Sequence, residues 1–363
     1  MRRWQSRQRR RVRTDVESPL STCQPVAVTS ALTVFADVEH DSHDTPGWHP
    51  ERHARLVAAV AGVSSAGLTD AATWKIPRLA TVDELALVHG VDYIAAVERM
   101  GAAGGGDIDG DTSVSTGSWA TARQSAGAVL DALDELRSGA TGLAFAAGRP
   151  PGHHAVRSQA MGFCLFNNAA IGAASLVARG ERVAIVDWDV HHGNGTQDIF
   201  YDDPNVLYVS THESPLYPGT GHLREQGGAG AVGTTCNLPF PAGTAGDAFR
   251  EAFDDIVVPV VERFDPDWLI ISAGFDAHRA DPLAGLALTA DDYADLALRL
   301  QPLVPGGRLL VVLEGGYDTT ALELSTGATL SALLGQSYRP EGISTGVVGR
   351  DTIAMARSMW DFS

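Results

Sequence analysis

The sequence predicts a single α/β domain on a central, mostly parallel sheet flanked by helices, and three observations carry that prediction. Apolar runs of strand length recur along the chain. Helical patterns alternate with them, as parallel sheets require. Nearly every run ends in a polar or glycine-rich cluster. Open parallel sheets bind ligands at the carboxyl ends of their strands, so these clusters are expected to form one site on one edge.

Taken in order, the strands are expected at 26–37 (VAVTSALTVFAD), 141–147 (TGLAFAA), 181–189 (ERVAIVDWD), 205–212 (NVLYVSTH), 267–276 (DWLIISAGFD) and 307–317 (GRLLVVLEGGY). Each run is continuous rather than alternating, the mark of a strand covered on both faces. Helices are expected at 119–139, 167–180, 248–264 and 290–304, with Gly139 and Gly180 as C-caps of the first two. The glycine-rich stretches 101–111 and 217–233 read as long ordered loops, which in α/β domains usually belong to a site. No internal repeat is present.

The 363 residues are enough for one large α/β domain, here 26–363, after an Arg-rich arm at 1–25 that reads as disordered. Net charge is −17, and without the first 13 residues the body carries 20 basic against 44 acidic groups. Such a body repels a nucleic-acid backbone and weakly attracts cationic substrates. Three cysteines (Cys23, Cys164, Cys236) make no disulfide framework and suit a reducing cytoplasm, the expected location. No apolar stretch of membrane-spanning length is present, so no membrane association is expected, and the arm lacks the apolar region of a signal peptide. Oligomeric state is left open.

The chemistry starts at DWDVHHGNG, 187–195. Buried charges cost several kcal/mol unless paired or metal-bound. Asp189 and His191 leave one strand end and Asp276 another. Two carboxylates and an imidazole with a fourth position open are the donor set of a catalytic zinc. A metal-free polar cluster is the competing reading. In RPPGHHA, 149–155, His153 and His154 suit proton transfer near neutral pH. Asp187 and Asn194 are candidates to stand behind the two rings and fix their tautomers. In LEGGYD, 313–318, two glycines allow a tight turn that brings Tyr317 inward, where a phenol can donate to a developing oxyanion. His192 has no chemical role to assign and reads as structural.

Together RPPGHHA, GFCLFNN (162–168), VDWDVHHGNGTQDIFY (186–201), SAGFDAHRADPL (272–283), LEGGYD and HPERHARL (49–56) resemble the zinc-dependent histone deacetylase and acetylpolyamine amidohydrolase superfamily. The resemblance runs from about residue 32 to 335, and Asn194 is similar to class II-like and bacterial members. It implies the arginase/deacetylase fold and one zinc on Asp189, His191 and Asp276. It also implies His153 and His154 as the catalytic pair and Tyr317 as the carbonyl-polarising phenol. A structural potassium would lie on Asp187, Ser210 and Thr211, with backbone oxygens of Asp189, His191 and Thr211. Phe163 and Tyr217 would line the channel for the acyl-lysine stem, and Asp111 or Asp109 would anchor a substrate N–H.

The implied reaction is hydrolysis of an N-acetyl amide by an activated water, with acetyl-lysine in proteins or a related acylated amine as substrate. An acetylpolyamine amidohydrolase is the nearest alternative. The polyamine-selective family member carries an acidic gatekeeper where this chain has Leu283, which favours acyl-lysine. An arginase-type di-manganese site lacks its bridging carboxylates here. A non-catalytic acyl-lysine binding module is the alternative of another class; it is expected to lose Tyr317 or a histidine, and none is lost.

Overall fold

The computed structural model describes residues 30–360. The expected arm at 1–25, together with Cys23, lies outside them. Ten strands are described: β1 (Ser30–Phe35), β2 (Ala72–Lys75), β3 (Gly106–Asp107), β4 (Ser113–Val114), β5 (Thr141–Ala146), β6 (Val183–Asp187), β7 (Val206–Glu213), β8 (Thr235–Phe240), β9 (Trp268–Ala273) and β10 (Leu309–Leu313). Eight form one sheet in the order β2-β1-β5-β10-β9-β6-β7-β8, while β3 and β4 make a small ribbon. Every pairing in the large sheet is parallel.

Two cores sandwich this sheet, and the strand sequences explain them. Successive side chains point to opposite faces. Along β9, Leu269 and Ile271 enter one core while Trp268 and Ile270 enter the other. Along β6, Ala184 and Val186 alternate with Val183 and Ile185 in the same way. The first core is closed by helices His53–Ser65, Ala290–Leu300 and Thr319–Leu333 and by the Gly246–Phe264 helical run; the second by Val91–Ala102, Ser118–Ser138 and Asn168–Val177.

Several expected boundaries move. β6 ends at Asp187 and β9 at Ala273, so Asp189 and Asp276 sit on the following turns. There the backbone no longer spends its N–H groups on the ladder and can use them to hold carboxylates. Gly139 is the left-handed C-cap expected, at φ 75°. Gly180 is not the cap: its helix ends at Val177 with Ala178 as cap, and Gly180 turns the chain two residues later at φ 83°. The 248–264 helix contains a π-helical turn at Phe253–Val257. Cys164 and Cys236 are buried and free. Among the described residues no helix is long and apolar enough to cross a membrane.

Candidate active site

Five neighbouring strands, β5, β10, β9, β6 and β7, bring the expected residues to one edge. His153 and His154 follow β5, Asp189 and His191 follow β6, and Ser210 and Thr211 lie in β7. Asp276 follows β9, and Tyr317 follows β10.

Asp189, His191 and Asp276 meet at the centre. His191 Nδ1 lies 3.1 Å from Asp189 Oδ1 and 3.2 Å from Asp276 Oδ2. All three residues are buried, and one ligand atom from each lies within 4.8 Å of the others. Tetrahedral zinc with ligands at about 2.0–2.2 Å sets its donors about 3.3–3.5 Å apart, so this spacing fits. Each carboxylate is fixed through its remaining oxygen. Asp276 Oδ1 accepts the Val190 N–H at 2.8 Å, and Asp189 Oδ2 accepts the Gly315 N–H at 2.8 Å. Asp276 Oδ2 has no hydrogen-bond partner and is turned to the cluster. Burial and the neighbouring Asp189 charge push the Asp276 carboxyl up to about 7. Two buried carboxylates about one imidazole form a cluster that could hold a metal ion.

The histidine pair stands beside this cluster, its ring centroids 4.0 Å apart. Asp187 Oδ2 lies 3.0 Å from His153 Nδ1, and Asn194 Oδ1 lies 2.8 Å from His154 Nδ1. Both expected partners are therefore in place, and each ring bonds through Nδ1, while His153 Nε2 faces Asp189 Oδ1 at 3.8 Å. Their environments differ. Burial disfavours charge on His153, but Asp189 and Asp187 overcome it and raise the imidazole to about 10. Burial and then the neighbouring His153 and His191 hold His154 well below its ordinary value.

Tyr317 is buried, with its backbone N–H donated to Asp281 Oδ2 at 2.6 Å. Gly316 has φ 116°, as the expected turn requires. Gly315 serves a different purpose from the one expected of it: a Cβ there would lie 2.1 Å from Asp276 Oδ2, so it is a notch rather than a turn. Gly193 likewise leaves room for Asp187, since its Cβ would lie 2.3 Å from Asp187 Oδ2.

Phe163 packs edge-on against Tyr317 at 5.7 Å, and Tyr217 edge-on against His154 at 5.1 Å, so each aromatic wall touches one of the expected reacting residues. Leu283 is half-buried on the turn that Asp281 ties to Tyr317, its N–H donated to Asp281 Oδ1 at 3.0 Å. Asp111 joins the wall through Thr112, whose hydroxyl donates to Asp111 Oδ1 at 2.9 Å and accepts the Phe163 N–H at 3.1 Å. Asp187 faces Ser210 in register across β6 and β7. Thr211 Oγ1 is buried without a partner, while Ser210 Oγ pairs with His212 Nδ1 at 2.9 Å. Asp187 and Ser210, with backbone oxygens such as that of Thr211, could hold a monovalent cation, the Thr211 hydroxyl lying on the other face of β7. His192 is spent on structure: Thr220 Oγ1 and Gln197 Oε1 take its two nitrogens at 2.8 and 3.0 Å, and burial pushes it down to about 4.

Sequence reasoning missed three contributors. Tyr208 donates to Asp187 Oδ2 at 3.0 Å, the same oxygen that faces His153. Glu314 Oε2 accepts the N–H groups of Gly152 and His153 at 2.7 and 3.1 Å and so fixes the histidine loop. Glu51 sits between Arg55 and Arg149, taking Arg55 Nη1 at 3.1 Å and Arg149 Nε at 2.6 Å. Arg55 in turn donates to the Gly316 carbonyl at 2.6 Å. An acid ending the apolar run LLVVLE was a legible signal for Glu314, because a buried carboxylate needs donors. Tyr208 gave none, since its role depends on strand order, and Glu51 was legible only as part of the HPERHARL motif, with no role attached.

A fold with its polar clusters at one sheet edge, two carboxylates and an imidazole that could hold a metal, and a paired histidine beside them is the arrangement of a hydrolytic site. The comparisons make the family plain. The histone deacetylase domain model matches residues 49–333, and the chain belongs to that family. It is 40% identical over 319 residues to a probable deacetylase of Archaeoglobus fulgidus, covering 84% of this chain and 89% of that protein. It is 37% identical over 292 residues to a histone deacetylase-like amidohydrolase of Pseudomonas aeruginosa, covering 79% of this chain and 76% of that protein. The crystal structure of the HDA15 HD domain superposes with a TM-score of 0.83 at 38% identity, covering 91% of this chain and 94% of that one.

Proposed function

We propose that this protein hydrolyses N-acetyl amides at one zinc, with acetyl-lysine in proteins or peptides as its preferred substrate class. The observation that carries the reading is the convergence of the Asp189, His191 and Asp276 donor set with the ordered His153–His154 pair and Tyr317. A zinc held there supplies Lewis-acid polarisation of an acyl carbonyl and of a water. His154, kept neutral by burial and by the neighbouring His153, is fitted to take the proton from the attacking water through Nε2. His153, backed by the Asp187 carboxylate, is fitted to stay protonated and steady the charge that develops. The pair then returns a proton to the departing amine. Tyr317 donates its phenol hydrogen to the oxygen that gains charge on the acyl carbon. Phe163 and Tyr217 clasp the apolar stem of the lysine. The monovalent cation that the family resemblance implies, potassium, would be held by Asp187, Ser210 and Thr211 behind His153.

Leu283 supports the substrate class, because it offers no counter-charge to a second ammonium at the mouth. The test is a turnover screen of zinc-loaded protein on acetyl-lysine peptides beside acetylated polyamines. Higher kcat/KM on the peptides is expected. Leu283→Glu is expected to shift the ratio toward the polyamine about tenfold, equivalent to about 1.4 kcal/mol for one partly solvated charge pair. A wild type that already prefers acetylpolyamines overturns the substrate assignment. Zinc-free protein with full activity overturns the metal.

A further inference from the structure

A line of rings leads out of the site. Tyr317 packs on Phe163 at 5.7 Å, Phe163 on His49 at 4.7 Å, and His49 on Trp48 at 5.7 Å. The first ring is buried among the proposed reacting groups, and the last is 75% exposed to solvent. A bare indole costs hydration free energy and gains no packing. The chain that carries Trp48 is nonetheless held in place at the next residue. The His49 N–H is donated to the Pro46 carbonyl at 2.8 Å, and the two His49 ring nitrogens lie 3.0 Å from the carbonyl oxygens of Glu51 and Asp111. The Asp111 contact joins the Trp48 loop to the loop that also holds Phe163 through Thr112. Trp48 therefore stands at the rim beyond the channel wall, where the part of a substrate flanking the acylated amine has to lie.

The charge of the two loops that the His49–Asp111 contact joins says what that part carries. Across the two rim loops, residues 37–52 and 103–117, Glu39, Asp44, Asp107 and Asp109 are exposed, against one exposed permanent cation, Arg52. An indole face attracts a cation through its ring quadrupole, and surrounding carboxylates add to the attraction. A neutral aromatic neighbour would use the indole but not the acids.

We propose that Trp48 is the specificity-determining residue of this rim, receiving on its face the guanidinium or ammonium of a basic residue adjacent to the acyl-lysine. This rests on the deacetylase reading above and adds the sequence context of the substrate. The test compares acetyl-lysine peptides that differ only in having Arg, Ala, Phe or Glu beside the acetyl-lysine, using the full zinc-loaded chain. The wild type is expected to favour Arg over Ala by about threefold to fivefold in kcat/KM, the size of one exposed cation–π contact, with the difference carried in KM. Trp48→Ala is expected to bring the ratio to about one, and Trp48→Phe to keep part of it. An Arg-to-Ala ratio unchanged in Trp48→Ala, or a wild type that favours the Phe or Glu peptide, overturns the proposal. Peptide affinity read by fluorescence anisotropy measures the same ratio without turnover. Absence of turnover with the affinity ratio intact sinks the deacetylase reading alone, whereas a ratio of one in both measurements sinks the platform.

Discussion

Gly315 shows how little space the candidate centre leaves. A Cβ there would lie 2.1 Å from Asp276 Oδ2 and 2.6 Å from Asp189 Oδ2, and its N–H is the donor that fixes Asp189. Gly315→Ala is expected to push both carboxylates off their positions and to cut zinc content and activity together. Metal analysis of the purified variant reads this directly, and stoichiometric zinc with wild-type kcat would contradict it. Asp276→Ala is expected to do the same by removing a ligand. Tyr317→Phe separates binding from chemistry: zinc and fold should stay, while kcat falls at least about 10²-fold. An unchanged kcat with a raised KM would make the phenol a mere binding group. At this scale the sequence was most legible, because Asp189, His191, Asp276 and the histidine pair are each short motifs at strand ends. Gly315 was read as a turn residue, since nothing local distinguishes a glycine needed for its φ from one needed for its missing methyl.

Among the elements, helices His53–Ser65 and Thr319–Leu333 cross at their closest over two glycines. A Cβ on Gly62 would lie 2.5 Å from the Glu323 carbonyl oxygen, and one on Gly327 would lie 2.6 Å from the Gly62 carbonyl oxygen. Gly62→Ala is expected to lower stability by about 1–3 kcal/mol, the overpacking cost exceeding the gain in helix propensity. Urea denaturation measures it, and a stabilised variant would show that the helices can part. Both helices escaped the sequence reading. Thr319–Leu333 is buried over most of its circumference, so its small and apolar residues show no stripe at helical period. The strands legible in advance were those apolar on both faces. β2 (ATWK) is half-exposed at the sheet edge, and β8 (TCNLPF) carries a polar residue and a proline, so neither reads as a continuous run.

Over the whole molecule, buried titratable groups set an acid limit. His89 is pushed down to about 4 by burial, so the unfolded chain takes up its proton first as pH falls from 6.5. Stability is therefore lost between about pH 6.5 and 4 at up to about 1.4 kcal/mol per pH unit for that group. Glu51 is opposed by burial but held down to about 2 by Arg149 and Arg55. Its contribution is present above pH 4.5 and is lost as pH falls from there toward 2. Urea midpoints of the wild type and of a His89→Gln variant, measured from pH 7 to 3.5, isolate the His89 contribution from the opposing rise that the raised Asp276 carboxyl gives. The wild type should lose more stability than the variant between pH 6.5 and 4, and parallel profiles would mean His89 titrates alike in both states. The strand order has a consequence of another kind. β10, the last strand of the sheet, lies between β5 and β9 and pairs with both. During synthesis the chain leaves the ribosome N-terminus first, so β1 with β5 and β6 with β9 can pair while the sheet still lacks its middle strand. Until Leu313 has emerged, two apolar strand edges stand open in the nascent chain, each a template for a foreign strand. Emergence of β10 closes the gap, and a ribosome stalled just short of β10 should hold a chain that engages chaperones and has not yet brought Tyr317 to the site.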